Sequence, residues 1–142
     1  MEFSEYYIAY FDVLGSKSFF KGDEEATLNF LKRLSGMFDR SIRQTNSINF
    51  SPTLNVLAGM NVEYKFFSDN VALYLKVSDS PIEIVRLLTF LESICMVQRD
   101  VLFEEKLLLR GGVVKGKLYS DETMIIGPVL IDAYNLELFV SP

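Results

Sequence analysis

The sequence predicts an α+β fold, a single antiparallel sheet with helices on one face, in the split βαβ order called ferredoxin-like. Two observations carry that expectation. Short runs rich in aromatic and β-branched residues alternate with two long helical stretches, in the order strand, helix, strand, strand, helix, strand, followed by one more strand and helix. With 142 residues, 49% of them hydrophobic, the chain can bury one core, so residues 1–142 are read as one domain.

The first strand is expected from about Glu5 to Val13, inside "YYIAYFDVLG", a composition suited to packing on both faces. A turn at Gly15 and a short helical turn in "SKSFF" follow. In "DEEATLNFLKRLSGMFDRSIRQ", Leu28, Leu31, Leu34, Phe38 and Ile42 recur at three- and four-residue spacing, with acids in the first turn facing the helix dipole. Residues 45–59 carry Pro52 and read as a loop. "MNVEYKFF" and "NVALYLKV" form a hairpin around Ser68-Asp69-Asn70. Ser80-Pro81-Ile82-Glu83 has the form of a capping box with proline at the first helical position, opening a second helix through "IVRLLTFLESICMVQRDVLF". The strands "KLLLRGGVVKGKLY" and "TMIIG" and the helix "GPVLIDAYNLELF" complete the chain.

Composition removes several functions. A net charge of −5 and no basic stripe argue against a nucleic-acid partner. The chain has no histidine, which excludes Ser-His-Asp triads and His-ligated zinc. Its single cysteine, Cys95, forms no internal disulfide and is expected to be a buried structural thiol. The start "MEFSEYY" has no signal-peptide character, and no apolar run reaches the roughly 18 residues of a membrane span. A soluble cytoplasmic protein with no membrane partner is expected.

One feature calls for chemistry. Asp12 lies in a hydrophobic strand, where a bare carboxylate costs several kcal/mol unless a cation or donors meet it. The split βαβ order brings the end of the first strand beside the central hairpin, where Asp69 sits. Two carboxylates converging there repel unless a divalent cation lies between them, and oxygen ligands without His or Cys favour Mg²⁺ or Mn²⁺. The alternative is that Asp12 caps the next turn and Asp69 is an ordinary turn residue. The glycine turn after Asp12 offers backbone N–H groups to a phosphate. Arg110 interrupts an apolar strand before two glycines that permit close approach, and its planar fork suits a phosphate. A strand-end arginine paired with an acid is the competing reading.

Four stretches resemble motifs of the class III nucleotidyl cyclase catalytic domain. Tyr10-Phe11-Asp12-Val13-Leu14-Gly15-Ser16 is similar to F-x-D-[IV]-x-G-[FS], and Lys65-Phe66-Phe67-Ser68-Asp69 to K-x-x-G-D. Arg110-Gly111-Gly112-Val113-Val114-Lys115-Gly116 matches R-x-G-[IV]-x-x-G, and Gly127 to Leu136 echoes G-x-x-V-N-x-A-x-R-L. The resemblance spans nearly the whole chain and implies a nucleotidyl cyclase-like sandwich that converts a nucleoside triphosphate to a 3′,5′-cyclic nucleotide and pyrophosphate. It implies two ions, Mg²⁺ or Mn²⁺, on Asp12, Asp69 and the Val13 carbonyl. It also implies phosphate contacts from Arg110 and from the Gly15 and Ser16 turn, a base-reading Lys65, and a two-fold homodimer. The pattern "FSDN…LLRGG…GP-L-AY-LE" is closer to divergent bacterial members, including pyrimidine cyclases of antiphage defence.

Departures define the alternatives. The family's transition-state asparagine and arginine fall on Ile131 and Asn135. The chain stops about where the family's last strands begin, so a domain truncated at its C-terminus or trimmed is expected. The rival function is a degenerate, inactive cyclase-like module that binds nucleotide or a partner. "GDEEA" (Gly22–Ala26) resembles a diguanylate cyclase signature superficially but falls at a helix start, where its acids read as solvated first-turn residues.

Overall fold

The computed structural model describes residues 2–13, 22–48, 59–67 and 70–140, the backbone alone for 136–140. Its elements are β1 (Ser4–Val13), α1 (Glu24–Asn46), β2 (Glu63–Phe67), β3 (Asn70–Lys76), α2 (Glu83–Glu105), β4 (Leu109–Ser120), β5 (Ile125–Ile126) and α3 (Pro128–Val140). They form one sheet in the order β2-β3-β1-β4-β5, with every pair antiparallel. The α+β split βαβ arrangement is therefore present, with β3 lying between β1 and β2.

β1 holds the centre, pairing with β3 on one side and β4 on the other. Its alternating side chains enter two cores. Tyr7, Ala9, Phe11 and Val13 face α1 and α2, where Phe30, Leu34, Phe38, Phe90 and Val97 pack with Val71, Leu73 and Leu75 of β3. Ile8 faces the other way, into a smaller cluster with Tyr74, Leu118, Val129 and Ala133, edged by Tyr6 and Tyr10. The two long helices of the split βαβ unit thus share one face, as the sequence predicts. The added helix α3 covers part of the opposite one.

Local signals were followed in some places and redirected in others. Asp23 caps α1, its side chain accepting from Glu25 N–H at 2.9 Å, so the acids of "GDEEA" do lie in a first helical turn. Leu28, expected on the inner stripe, is 52% exposed, while Phe30 is buried. At 3.6 residues per turn these two positions point about 200° apart, and only one can face the sheet. The capping box before α2 does not form. Ser80 Oγ accepts from Ile82 N–H at 3.2 Å, and Glu83 turns instead to Ser78 Oγ and Arg86. Cys95 is exposed on α2 rather than buried, because the apolar run around it supplies both faces of that helix.

Two glycines of "RGGVVKG" are explained by close packing. A Cβ at Gly111 would collide with the Tyr10 carbonyl and the Phe11 ring across the β1–β4 pair. A Cβ at Gly116 would lie 2.8 Å from Val129 Cγ2, where α3 seats on the sheet.

Candidate functional site

Asp12 is the next-to-last residue of β1 and shares its face with Tyr10 and Ile8, the side that α3 covers only in part. The register sets Arg110 directly opposite it on β4 and Asn70 opposite it on β3. Arg110 forks onto the carboxylate: Nε donates to Oδ1 at 3.1 Å and Nη2 to Oδ2 at 2.8 Å. The two side chains are 27% and 16% exposed, so this is a part-buried bidentate pair, the stronger kind of charge-assisted contact. The carboxylate set in an apolar strand is met by the chain's own guanidinium.

Val13 follows, buried and paired with Leu109. Gly15, Ser16 and Asp69 lie outside the described residues. Asn70, next in sequence after Asp69, pairs with Asp12. A divalent cation requires oxygen donors, which the Asp12 carboxylate and the Val13 carbonyl supply in kind. Among the described residues no three acidic, histidine or cysteine side chains converge. The expected ligand set for Mg²⁺ or Mn²⁺ is Asp12, Asp69 and the Val13 carbonyl, and of its two carboxylates Asp12 lies among the described residues, held there by Arg110.

Lys65 lies in the middle of β2, where its Nζ donates to the Asp121 carbonyl at 3.3 Å. Asp121 opens the turn between β4 and β5. Its carboxylate accepts from the N–H groups of Thr123 and Met124, both at 2.8 Å, and from the Tyr119 hydroxyl, which hold it well below the usual carboxylate range. Ser120 Oγ lies 3.4 Å from the Tyr74 hydroxyl. The end of β4 therefore arches over the sheet toward β2 and β3. A polar cleft of about 460 Å³ beneath it is lined by Tyr6, Glu63, Lys65 and Tyr74. Burial first, then the charge of Glu63, pushes the Tyr6 phenol up.

Sequence reading missed a second cleft, of about 350 Å³, lined by Tyr10, Phe67, Ile125, Leu130, Ile131 and Tyr134. Tyr10 meets Tyr134 edge to face at 5.9 Å and stands two residues from Asp12 on one strand face, a spacing of about 7 Å. Phe67, Ile131 and Tyr134 are 47%, 63% and 46% exposed, apolar surface that the chain leaves open. The available signal was α3 itself, apolar nearly all round, which means it serves more than one surface. A wider groove of about 640 Å³ between α1 and α2 is laced by Arg33–Glu105 and Arg40–Glu104 ion pairs and lies on the helical layer, away from Asp12.

No family model and no curated protein matches the sequence. Among solved structures, the chain is similar to the adenylyl cyclase CyaB from P. aeruginosa, with a TM-score of 0.57 over 97% of this chain and 73% of that one. The fold is cyclase-like. Sequence identity in that comparison is 14%, so the likeness concerns the path of the chain. No helix among the described residues is long and apolar enough to cross a membrane.

Proposed function

We propose that the protein is a metal-dependent nucleotidyl cyclase of the class III type, turning a nucleoside triphosphate into a 3′,5′-cyclic nucleotide and pyrophosphate. The observation that carries this reading is the Asp12–Arg110 pair on the open sheet face, next to an apolar cleft of about 350 Å³, in a cyclase-like fold. Asp12, Asp69 and the Val13 carbonyl would hold Mg²⁺ or Mn²⁺. A divalent cation in such a site supplies Lewis-acid activation of the ribose 3′-hydroxyl and neutralises phosphate charge.

The protein's own groups have separable tasks. The Arg110 guanidinium, together with backbone N–H groups near Gly15 and Ser16, offsets charge on the triphosphate. The cleft beside Tyr10 takes the base and excludes water from it. Lys65 would read a base edge on leaving the Asp121 carbonyl. The site is completed by a second copy in a two-fold homodimer, which closes over the base in this cleft along its exposed rim of Phe67, Ile131 and Tyr134. The resemblance to divergent bacterial members favours a pyrimidine substrate and a role in antiphage defence.

The test is turnover with ATP, GTP, CTP and UTP in turn, with Mn²⁺, read by mass spectrometry. One nucleotide is cyclised by the parent, at a rate at least about 100-fold above Asp69→Ala and Asp12→Asn. No cyclic product from any of the four overturns the reading. Ile131, apolar and 63% exposed where the family has its transition-state asparagine, favours a second reading: a module that binds nucleotide without turnover. Saturable nucleotide binding with no product is its signature.

A further inference from the structure

The Arg110 guanidinium, a phosphate ligand in the cyclase reading, turns its fork onto Asp12 in the structure. Nε and Nη2 engage Oδ1 and Oδ2 separately, at 3.1 and 2.8 Å, so one guanidinium uses both carboxylate oxygens. We infer that Arg110 is a built-in counter-cation for Asp12, and that a divalent cation reaches Asp12 only by exchanging with it. This inference rests on the cyclase reading, since that reading supplies the cation.

Two observations and one physical argument support the exchange. Asp12 is only 16% exposed, so its charge needs a partner at all times. Arg110 stands directly opposite in the β1–β4 register, so the partner is supplied by the sheet itself and no loop has to close. A guanidinium and a divalent cation on one half-buried carboxylate repel strongly, since charge interactions a few ångströms apart are poorly screened there. The two therefore compete, and by linkage each weakens the other's hold.

The exchange gives the site an order of events. Without a cation, Asp12 is neutralised and Arg110 is withheld from phosphate. Once a cation holds Asp12, the fork gives up its two Asp12 contacts and turns to phosphate. Arg110 is then a positioning residue for Asp12 in one state and a phosphate ligand in the other.

The measurement is Mn²⁺ affinity without nucleotide, from the electron paramagnetic resonance signal of free Mn²⁺. The proteins compared are the parent, Arg110→Met, Arg110→Lys and Asp12→Asn. Removing the counter-cation tightens Mn²⁺ binding at least about fivefold in Arg110→Met. Arg110→Lys, which keeps the charge without the fork, falls between that variant and the parent, and it decides the matter if Arg110→Met does not fold. Asp12→Asn loses the site. Equal or weaker Mn²⁺ binding in the Arg110 variants, with the Asp12-dependent site intact in the parent, overturns the exchange and leaves the cyclase reading standing. No Asp12-dependent Mn²⁺ site in any protein overturns both.

Discussion

Gly36 and Gly111 make opposite predictions at the scale of single residues. Gly36 lies in the middle of α1 with nothing within 4 Å of the position a Cβ would take. Gly36→Ala therefore removes a helix-breaking residue at no steric expense, and raises stability by about 0.5–1 kcal/mol in a urea titration. Gly111→Ala drives a methyl group into the Tyr10 carbonyl and the Phe11 ring, and lowers stability by about 2 kcal/mol or more. The sequence made Gly111 legible as a point of close approach but left open whether a ligand or another backbone approaches. The backbone of β1 does. Asp12 was legible in the same partial way. Its need for a cation followed from an apolar strand, while its partner depends on a register between residues 12 and 110 that no local pattern encodes.

At the scale of elements, the start of α2 is tied to the end of β3 by one buried side chain. Arg86 is 4% exposed and donates to both oxygens of Glu83, to the Lys76 carbonyl, to the Gly59 carbonyl and to Ser78 Oγ. Burial alone would raise the Glu83 carboxyl, but hydrogen bonds from Arg86 and Ser78 outweigh it and leave it below its ordinary value. A carboxylate depressed in the folded state stabilises the fold above its unfolded pKa, and that stabilisation is lost as pH falls through the folded one. Stability should thus fall as pH drops below about 4.3, and Glu83→Gln should flatten that part of the acid titration while lowering stability at neutral pH. Arg86→Met strands Glu83 and three acceptors, and costs about 3 kcal/mol by denaturant titration. This junction was misread as a capping box because Ser80 and Glu83 have the right spacing for one. The arginine three residues further on competes for the carboxylate and wins with two charge-assisted bonds.

For the whole molecule, the order of elements was legible because periodicity changes cleanly between strand and helix. The strand order and the sharing of β1 by two cores follow from it. The apolar cleft was not legible, because α3 is apolar on nearly every side and a sequence cannot say which of its residues remain uncovered. That surface yields a prediction for the assembly. Ile131→Asp places a charge at a 63% exposed position, leaves the fold intact by circular dichroism, and shifts a dimer toward monomer in sedimentation. A parent that sediments as a monomer at every concentration removes the two-fold assembly. The means of mapping such an assembly already exists in the chain. Cys95 is its only cysteine, exposed on α2, while Asp12, Tyr10 and the cleft occupy the opposite face of the sheet. A spin label or dye attached to that thiol requires no engineered mutation and stays clear of the chemistry. The distance between the two labels of a pair then reports how two copies are set against each other, with the site left native.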